Sequence, residues 1–144
     1  MKISTKGRYG IRFLIDVAEQ GAGALCTLSD IAKRESISEA YLEQVAVVLK
    51  RSGYIRSVKG SSGGFILAKD PSEVRIGEVL RNLEGDLSVV EAPLPGKKES
   101  LFRQAIRVGF YNKLDNAVNE SLGSFTLGSL ICGEKSKTEY MYYI

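Results

Sequence analysis

The chain has no histidine and no tryptophan among its 144 residues, and it has only two cysteines and three prolines. Without histidine, a Ser-His-Asp triad and most catalytic zinc sites are excluded. Cys26 and Cys132 are isolated, so the sequence contains neither a Cys-x-x-Cys motif nor a disulfide framework. We interpret both as small, half-buried thiols in a reducing compartment. Because no pairing of a nucleophile with a base is visible, we predict that the protein is not an enzyme.

Long hydrophobic runs are also lacking. No apolar stretch approaches the ~20 residues of a membrane-spanning helix, and the first ten residues, MKISTKGRYG, lack the apolar core of a signal peptide. The few prolines and the absence of a low-complexity tract argue against disorder. We therefore expect a soluble, cytoplasmic protein with no membrane partner.

Charge is unevenly distributed along the chain, whose formal net charge is +3. Residues 1–69 carry 11 Lys/Arg and 6 Asp/Glu, whereas residues 70–144 carry 9 and 11. The first half is therefore basic by five charges and the second acidic by two. This asymmetry suits an anionic partner for the first half, but an ordinary solvated surface would explain it equally well.

Three amphipathic segments open the chain. Ile11, Leu14, Ile15 and Ala18 have the spacing of one helix face and predict a helix from Ser4 to Gln20. Ser4 or Thr5 can cap it. Further helices are predicted from Leu28 to Glu35, with Thr27 or Ser29 as the cap, and from Glu39 to Ser52, with Ser38 as the cap. A short helix, a tight turn and a longer helix with a polar outer face predict a helix-turn-helix. Ser36 occupies a turn position where glycine is common, so we expect some backbone strain there.

A hairpin follows the third helix. Residues 54–59 alternate between apolar and polar side chains, residues 60–64 read GSSGG, and residues 65–69 return as a second strand. The glycine-rich tip is not a P-loop, because Phe65 and Ile66 stand where Lys and Ser/Thr are required. The predicted fold is mainly α with a small β-hairpin, a winged helix-turn-helix.

The second half has a different pattern. A fourth helix is predicted from Arg75 to Leu83 and an irregular stretch from Asp86 to Glu99, followed by a long helix from Ser100 to Leu122 and a short one from Thr126 to Ile131. Apolar side chains recur every four residues along the long helix. We expect them to form a dimerisation face, although the helix could instead lie along its own domain. These residues are Phe102, Ile106, Phe110, Leu114 and Val118.

We divide the chain accordingly. Residues 1–84 form the winged-helix DNA-binding domain, 85–99 a loop, 100–132 the dimerisation helix with the short helix, and 133–144 a C-terminal tail.

A winged helix places its second helix-turn-helix helix in the major groove and its hairpin beside the backbone or in the minor groove. Lysine and arginine near these elements can neutralise phosphates, glutamine can pair with adenine, and glutamate can accept from cytosine. Glu43 is either such a contact, rejecting wrong sequences, or a solvated helix residue. The candidate DNA-binding residues are Lys6, Arg8, Glu39, Tyr41, Glu43, Gln44, Arg51, Lys59 and Ser61, with Arg12 and Lys50 as further candidate phosphate contacts.

Five stretches together resemble the IscR/CymR family of small dimeric bacterial transcription regulators, and they cover nearly the whole chain. They are MKISTKGRYGIRFLIDVA, LSDIAKRESISEAYLEQV, SGYIRSVKGSSGGFILAKD, GEVLRNLEGDLSVVE and SFTLGSL. The resemblance implies a homodimer on a pseudo-palindromic double-stranded DNA operator, with DNA contacts from Glu43, Gln44 and Lys59. It also implies control of genes for iron–sulfur cluster biogenesis or cysteine metabolism.

The family has two branches. IscR-like members hold a [2Fe–2S] cluster on three cysteines around the loop before the long helix, whereas CymR-like members lack those cysteines and respond through cysteine synthase. The loop length here resembles the cluster binders, but Ala92 and Ala105 occupy the first and third ligand positions, with Ser100 near the middle one. We therefore expect no cofactor and no bound metal in this chain.

The last residues, ending at Tyr143 and Ile144, resemble the ending of CymR-like members. An apolar terminal residue with a free carboxylate suits a pocket lined by amide donors. Docking of this tail into cysteine synthase is the alternative sensing mode, and a tail folded back on its own dimer is the competing interpretation.

Overall fold

A computed structural model gives the fold of residues 1–133. The predicted tail after residue 133, with its suggested docking role, lies outside the described residues. In chain order the elements are α1 (Thr5–Glu19), α2 (Leu28–Glu35), α3 (Glu39–Arg51), β1 (Ile55–Val58), β2 (Gly64–Leu67), a 3-10 turn (Pro71–Glu73), α4 (Ile76–Glu84), α5 (Leu101–Ile106), a π-helical segment (Arg107–Tyr111) and α6 (Asn112–Gly123). Residues 127–133 are again helical. The mainly helical architecture with one hairpin is as predicted.

Side-chain caps fix where the first three helices begin. Ser4, Thr27 and Ser38 each have extended backbone, and each side-chain oxygen accepts a hydrogen bond from the backbone N–H three residues later. This satisfies a donor that the helix itself leaves unpaired. Between α2 and α3, Ser36 has φ 55° and ψ 45°, and it is the one non-glycine residue with positive φ among residues 1–133. The predicted strained turn is therefore present.

The hairpin is antiparallel, with Ile55 opposite Leu67 and Val58 opposite Gly64. A short bridge extends it, because the N–H of Cys26 donates to the carbonyl of Phe65 at 2.9 Å and the reverse bond measures 2.7 Å. A Cβ atom at Gly64 would lie 2.5 Å from the Cys26 carbonyl oxygen. This close approach explains a glycine at that position, and it ties the base of the wing to the segment before α2.

The helices α1, α2, α3 and α4 and the base of the wing share a single hydrophobic core. Its fully buried side chains include Phe13, Leu42, Leu49 and Leu80. Leu127 is also fully buried although it follows the long helix, and its N–H donates to the Val74 carbonyl at 2.8 Å. The chain therefore leaves the winged-helix unit after α4 and returns to it near residue 126.

The long helix differs from its prediction in one respect. The prediction of a single regular α-helix from Ser100 to Leu122 is wrong, because the five residues Arg107–Tyr111 are π-helical. The physical reason lies in the spacing of the apolar residues. A repeat of four residues drifts around an α-helix of 3.6 residues per turn, and a π-helical turn absorbs an extra residue. The π segment brings Phe102 and Leu114, ~120° apart on a regular helix, to within ~30°.

Candidate nucleic-acid interface

The third helix is strongly two-sided. Its inner side buries Leu42, Val45, Ala46, Val48 and Leu49 against α1, α2, α4 and the first strand. Glu39, Glu43, Gln44 and Arg51 are exposed on the outer side. Ser38 caps the helix by accepting from the Tyr41 N–H at 3.3 Å, and Glu39 lies in the first turn. These four predicted residues therefore share the surface that a winged helix presents to the major groove.

An ion pair with a buried carboxylate holds the helix-turn-helix to α1. The Arg34 guanidinium donates to both carboxylate oxygens of Asp16, with a shortest distance of 2.7 Å, and the Asp16 side chain is 3% exposed. These hydrogen bonds raise the pKa of Arg34 above its usual range. Burial raises the pKa of the neighbouring Cys26 thiol, and the charge of Arg34 partly opposes that rise. The sequence interpretation missed this pair. Its signal was an aspartate between Ile15 and Val17 on a largely apolar helix.

Two of the predicted contact residues take part in packing on α1. The ring of Tyr41 is half-buried and meets the ring of Tyr9 edge-on, with 5.3 Å between centroids. Arg12 lies over the same Tyr9 ring and donates to the Glu35 carboxylate at 2.8 Å. Its side chain remains 44% exposed. Tyr41 therefore joins α3 to α1, and Arg12 joins α1 to the end of α2.

The remaining candidate contacts lie on two other elements. Lys6 and Arg8 are in the first turns of α1, where Lys6 is half-buried and Arg8 is exposed with a hydrogen bond to the Thr5 hydroxyl at 3.2 Å. Lys59 and Ser61 are exposed at the tip of the wing. The positions of these residues agree with the predicted interface, and their contacts with DNA stay predictions.

The predicted dimerisation face is largely uncovered in the single chain. Phe102 is 75% exposed, Phe110 57% and Leu114 37%, while Ile106 and Val118 are half-buried. Leu101, which sequence reasoning noted only as added apolar surface, is 84% exposed. The long helix is anchored to the rest of the chain at several points. One is a hydrogen bond of 2.6 Å from Arg81 to the Asn119 side chain.

Between the loop and the long helix lies a cavity of about 690 Å³. Ala92, Leu94 and Ile106 contribute to its lining. Its walls are joined by an ion pair between Glu99 and Arg107 at 2.8 Å, and this contact lowers the pKa of the Glu99 carboxyl.

The donor set of this loop does not fit a [2Fe–2S] cluster. Ala92 lies on the cavity wall, and Ala105 is exposed on α5. A cluster requires thiolate ligands here, and the two cysteines lie elsewhere: Cys26 is buried beside the wing and Cys132 is exposed after the long helix. No group of three or more His, Cys, Asp or Glu suited to a metal ion occurs within residues 1–133. Over the same range, no helix is both long and apolar enough to cross a membrane.

A capped helix-turn-helix with a polar outer face and an adjoining wing defines the class of winged-helix DNA-binding proteins. Comparison of the chain with known proteins identifies its family. Residues 3–133 match the family Rrf2, described as iron-dependent transcriptional regulator. The chain belongs to the Rrf2 family of transcriptional regulators.

Individual relatives fall in both predicted branches. The HTH-type transcriptional regulator CymR of Bacillus subtilis is 37% identical over 100% of both chains. IscR of Escherichia coli is 30% identical over 91% of this chain and 80% of its own. Among solved structures, CymR, "the Global Cysteine Regulator of B. subtilis", has a TM-score of 0.78 at 36% identity, covering 92% of this chain and 97% of its own. T. potens IscR has a TM-score of 0.74 at 32% identity, covering 99% and 97%.

These relatives confirm the resemblance and the winged-helix fold. They also confirm that the protein is a DNA-binding transcription regulator of the CymR/IscR type and not an enzyme.

Proposed function

We propose that the protein is a homodimeric regulator of genes for iron–sulfur cluster biogenesis or cysteine metabolism, and that it works without a cluster. The observation that carries the dimer is the apolar face of the long helix. Phe102 and Phe110 are 75% and 57% exposed, and they are brought to one side by the π-helical segment. An apolar surface of this kind, repeated on a second copy, supports a two-fold interface.

The oligomeric state tests this first proposal. Sedimentation of the full chain should give a dimer, and the double variant Phe102→Asp, Phe110→Asp should sediment as a folded monomer. Asn116→Asp, an exposed polar position on α6, is the matched control and should remain dimeric. A wild-type chain that stays monomeric at micromolar concentration would contradict the proposal.

DNA contacts are proposed for α3, the wing and the start of α1. Support comes from the exposed Glu43 and Gln44 on the outer side of α3 and from Lys59 at the tip of the wing. The dimer would place two such surfaces on a pseudo-palindromic duplex, one for each half-site.

Operator binding can be measured on duplexes enriched by the protein from a random-sequence pool. Gln44→Ala and Lys59→Ala should weaken binding to the enriched duplex. Lys6→Ala should weaken binding to all duplexes alike and lower the salt-dependence slope by ~1, as loss of one phosphate contact does. Unchanged affinity of the first two variants would refute the contact assignment.

Cluster-free operation rests on the alanines at positions 92 and 105. Anaerobic reconstitution with iron and sulfide should leave the wild-type chain without the visible absorption of a [2Fe–2S] centre. The triple variant Ala92→Cys, Ser100→Cys, Ala105→Cys is the comparison, because it has a thiol at each of the three ligand positions. Stoichiometric iron and sulfide in the wild-type protein would overturn this part.

The alternative is a CymR-like regulator that senses through cysteine synthase. The 37% identity with Bacillus subtilis CymR extends over the whole of both chains and is higher than the 30% identity with Escherichia coli IscR. This difference favours the CymR-like alternative, whereas the loop length favours the IscR-like branch. A pull-down with cysteine synthase, with and without Tyr143 and Ile144, tests the tail directly. Equal recovery in both would end that alternative.

A further inference from the structure

One apolar side chain stands out on the polar side of α3. Val47 is 58% exposed, whereas the valines on either side of it in the helix, Val45 and Val48, are buried. The inner side of α3 packs on α1, α2, α4 and β1, so Val47 faces none of these elements. It is also on a different helix from the proposed dimer face. A single exposed valine on an ordinary surface helix needs no partner. The surroundings of Val47 are what distinguish it.

Four polar residues frame this valine. Glu43 and Gln44 precede it by four and three residues, and Lys50 and Arg51 follow by three and four. At about 100° per residue, all four lie within ~60° of Val47 around the helix axis. All four are exposed. Val47 is therefore at the centre of the outer side of α3, the side of this helix that the proposed function assigns to DNA.

The geometry of B-DNA defines what meets that centre. The major groove is about 12 Å wide and admits an α-helix, so the middle of the inserted face meets base edges while its borders reach phosphates. Of the groups on those edges, only the C5 methyl of thymine is apolar. Glu43 and Gln44 can satisfy neighbouring donors and acceptors, and Lys50 and Arg51 can neutralise phosphates.

We infer that Val47 is a specificity-determining residue that packs against the C5 methyl group of a thymine in each half-site. This inference rests on the proposed docking of α3 in the major groove. It extends the expected base contacts, which concern hydrogen bonding by Glu43 and Gln44, with an apolar contact between them.

Random-sequence selection followed by methyl deletion provides the test. Wild type, Val47→Ala and the control Val90→Ala, an exposed valine in the loop, are each used to enrich duplexes from the same pool. Thymines of the wild-type motif are then replaced one at a time by deoxyuridine, which removes only the C5 methyl. Circular dichroism and sedimentation check that each variant is folded and in the same oligomeric state as wild type.

The inference predicts one thymine per half-site at which deoxyuridine weakens wild-type binding about fourfold, the factor for one buried methyl group. Val47→Ala should no longer distinguish thymine from deoxyuridine there, while the rest of its enriched motif is unchanged. Val90→Ala should behave as wild type.

Two results would overturn the inference. Equal binding of thymine and deoxyuridine duplexes by the wild type at every position is one, and an undiminished thymine preference in Val47→Ala is the other. If instead the wild type enriches no motif, sequence-specific DNA binding itself fails and the inference fails with it.

Discussion

Phe13 and Phe102 are both phenylalanines on helices, but Phe13 is fully buried and Phe102 is 75% exposed. The contrast holds for the regions around them. The winged-helix unit has a continuous core with Leu14, Leu42 and Leu80 fully buried. No residue between 88 and 126 is buried. The first region obtains its stability from its own side chains, and the second presents apolar side chains whose burial requires another surface.

The largest expected effect separates the two phenylalanines directly. Phe13→Ala should lower the free energy of unfolding by ~3–5 kcal/mol, because it leaves a cavity in a closed core. Phe102→Ala should change the free energy of unfolding of the isolated subunit by less than ~0.5 kcal/mol, since the Phe102 side chain contacts mostly solvent. Urea unfolding of both variants in a Phe110→Asp background, with sedimentation to check that it is monomeric, measures the difference. Equal losses of unfolding free energy in the two variants would contradict the difference between a self-contained core and an uncovered apolar face.

Two ion pairs within the winged-helix unit provide a test of intermediate size, because they compare a buried carboxylate with a more exposed one. Arg34→Met leaves the 3% exposed Asp16 carboxylate without its partner. We expect a loss of ~2 kcal/mol, below the 3–5 kcal/mol typical of fully buried pairs, because the Arg34 side chain is itself 39% exposed. Arg12→Met breaks the more exposed pair with Glu35 and should cost ~0.5 kcal/mol. Thermal or urea unfolding that ranks Arg12→Met above Arg34→Met would contradict this order.

The smallest effect concerns the ion pair beside the loop. Arg107 lowers the pKa of Glu99, so the contact favours the folded loop above the ordinary titration range of glutamate and is lost as pH falls through the lowered pKa. An NMR titration of the Glu99 carboxyl should show a midpoint below the usual value, and Arg107→Gln should return it toward that value. An unchanged midpoint in Arg107→Gln would show that the pair does not form.

Much of the winged helix follows from local signals in the sequence. Ser38 caps α3 as predicted, Ser4 and Thr27 are each one of the two capping residues that the sequence offers, and the GSSGG tip closes the hairpin. These features depend on neighbours within a few residues, so a single sequence contains them. The polar outer side of α3 could be predicted for the same reason, since periodicity alone separates it from the buried side.

Features that depend on distant residues were not predictable in this way. The pairing of Asp16 with Arg34 and the bridge between Cys26 and Phe65 join residues far apart in the sequence. Burial of Leu127 depends on the chain returning to α4. The π-helical segment has a local signal in the four-residue apolar spacing, but the same spacing also fits a regular helix whose apolar stripe winds around it.

That π-helical segment also bears on how the chain tolerates changes in length. Losing one residue between Arg107 and Tyr111 would allow the hydrogen bonding of the helix to become regular, so the helix itself would survive the deletion. Because the π-helical turn absorbs one extra residue, everything beyond it would keep its orientation relative to α5 to within ~10°. The Asp115 carboxylate would stay beside the Val89 N–H, 2.6 Å away in this structure, and Leu114 would still share a side with Phe102. A single-residue deletion in a regular α-helical part would instead turn everything beyond it by ~100°. The π-helical segment is therefore the place where the long helix can lose a residue without rotating one end of the helix against the other.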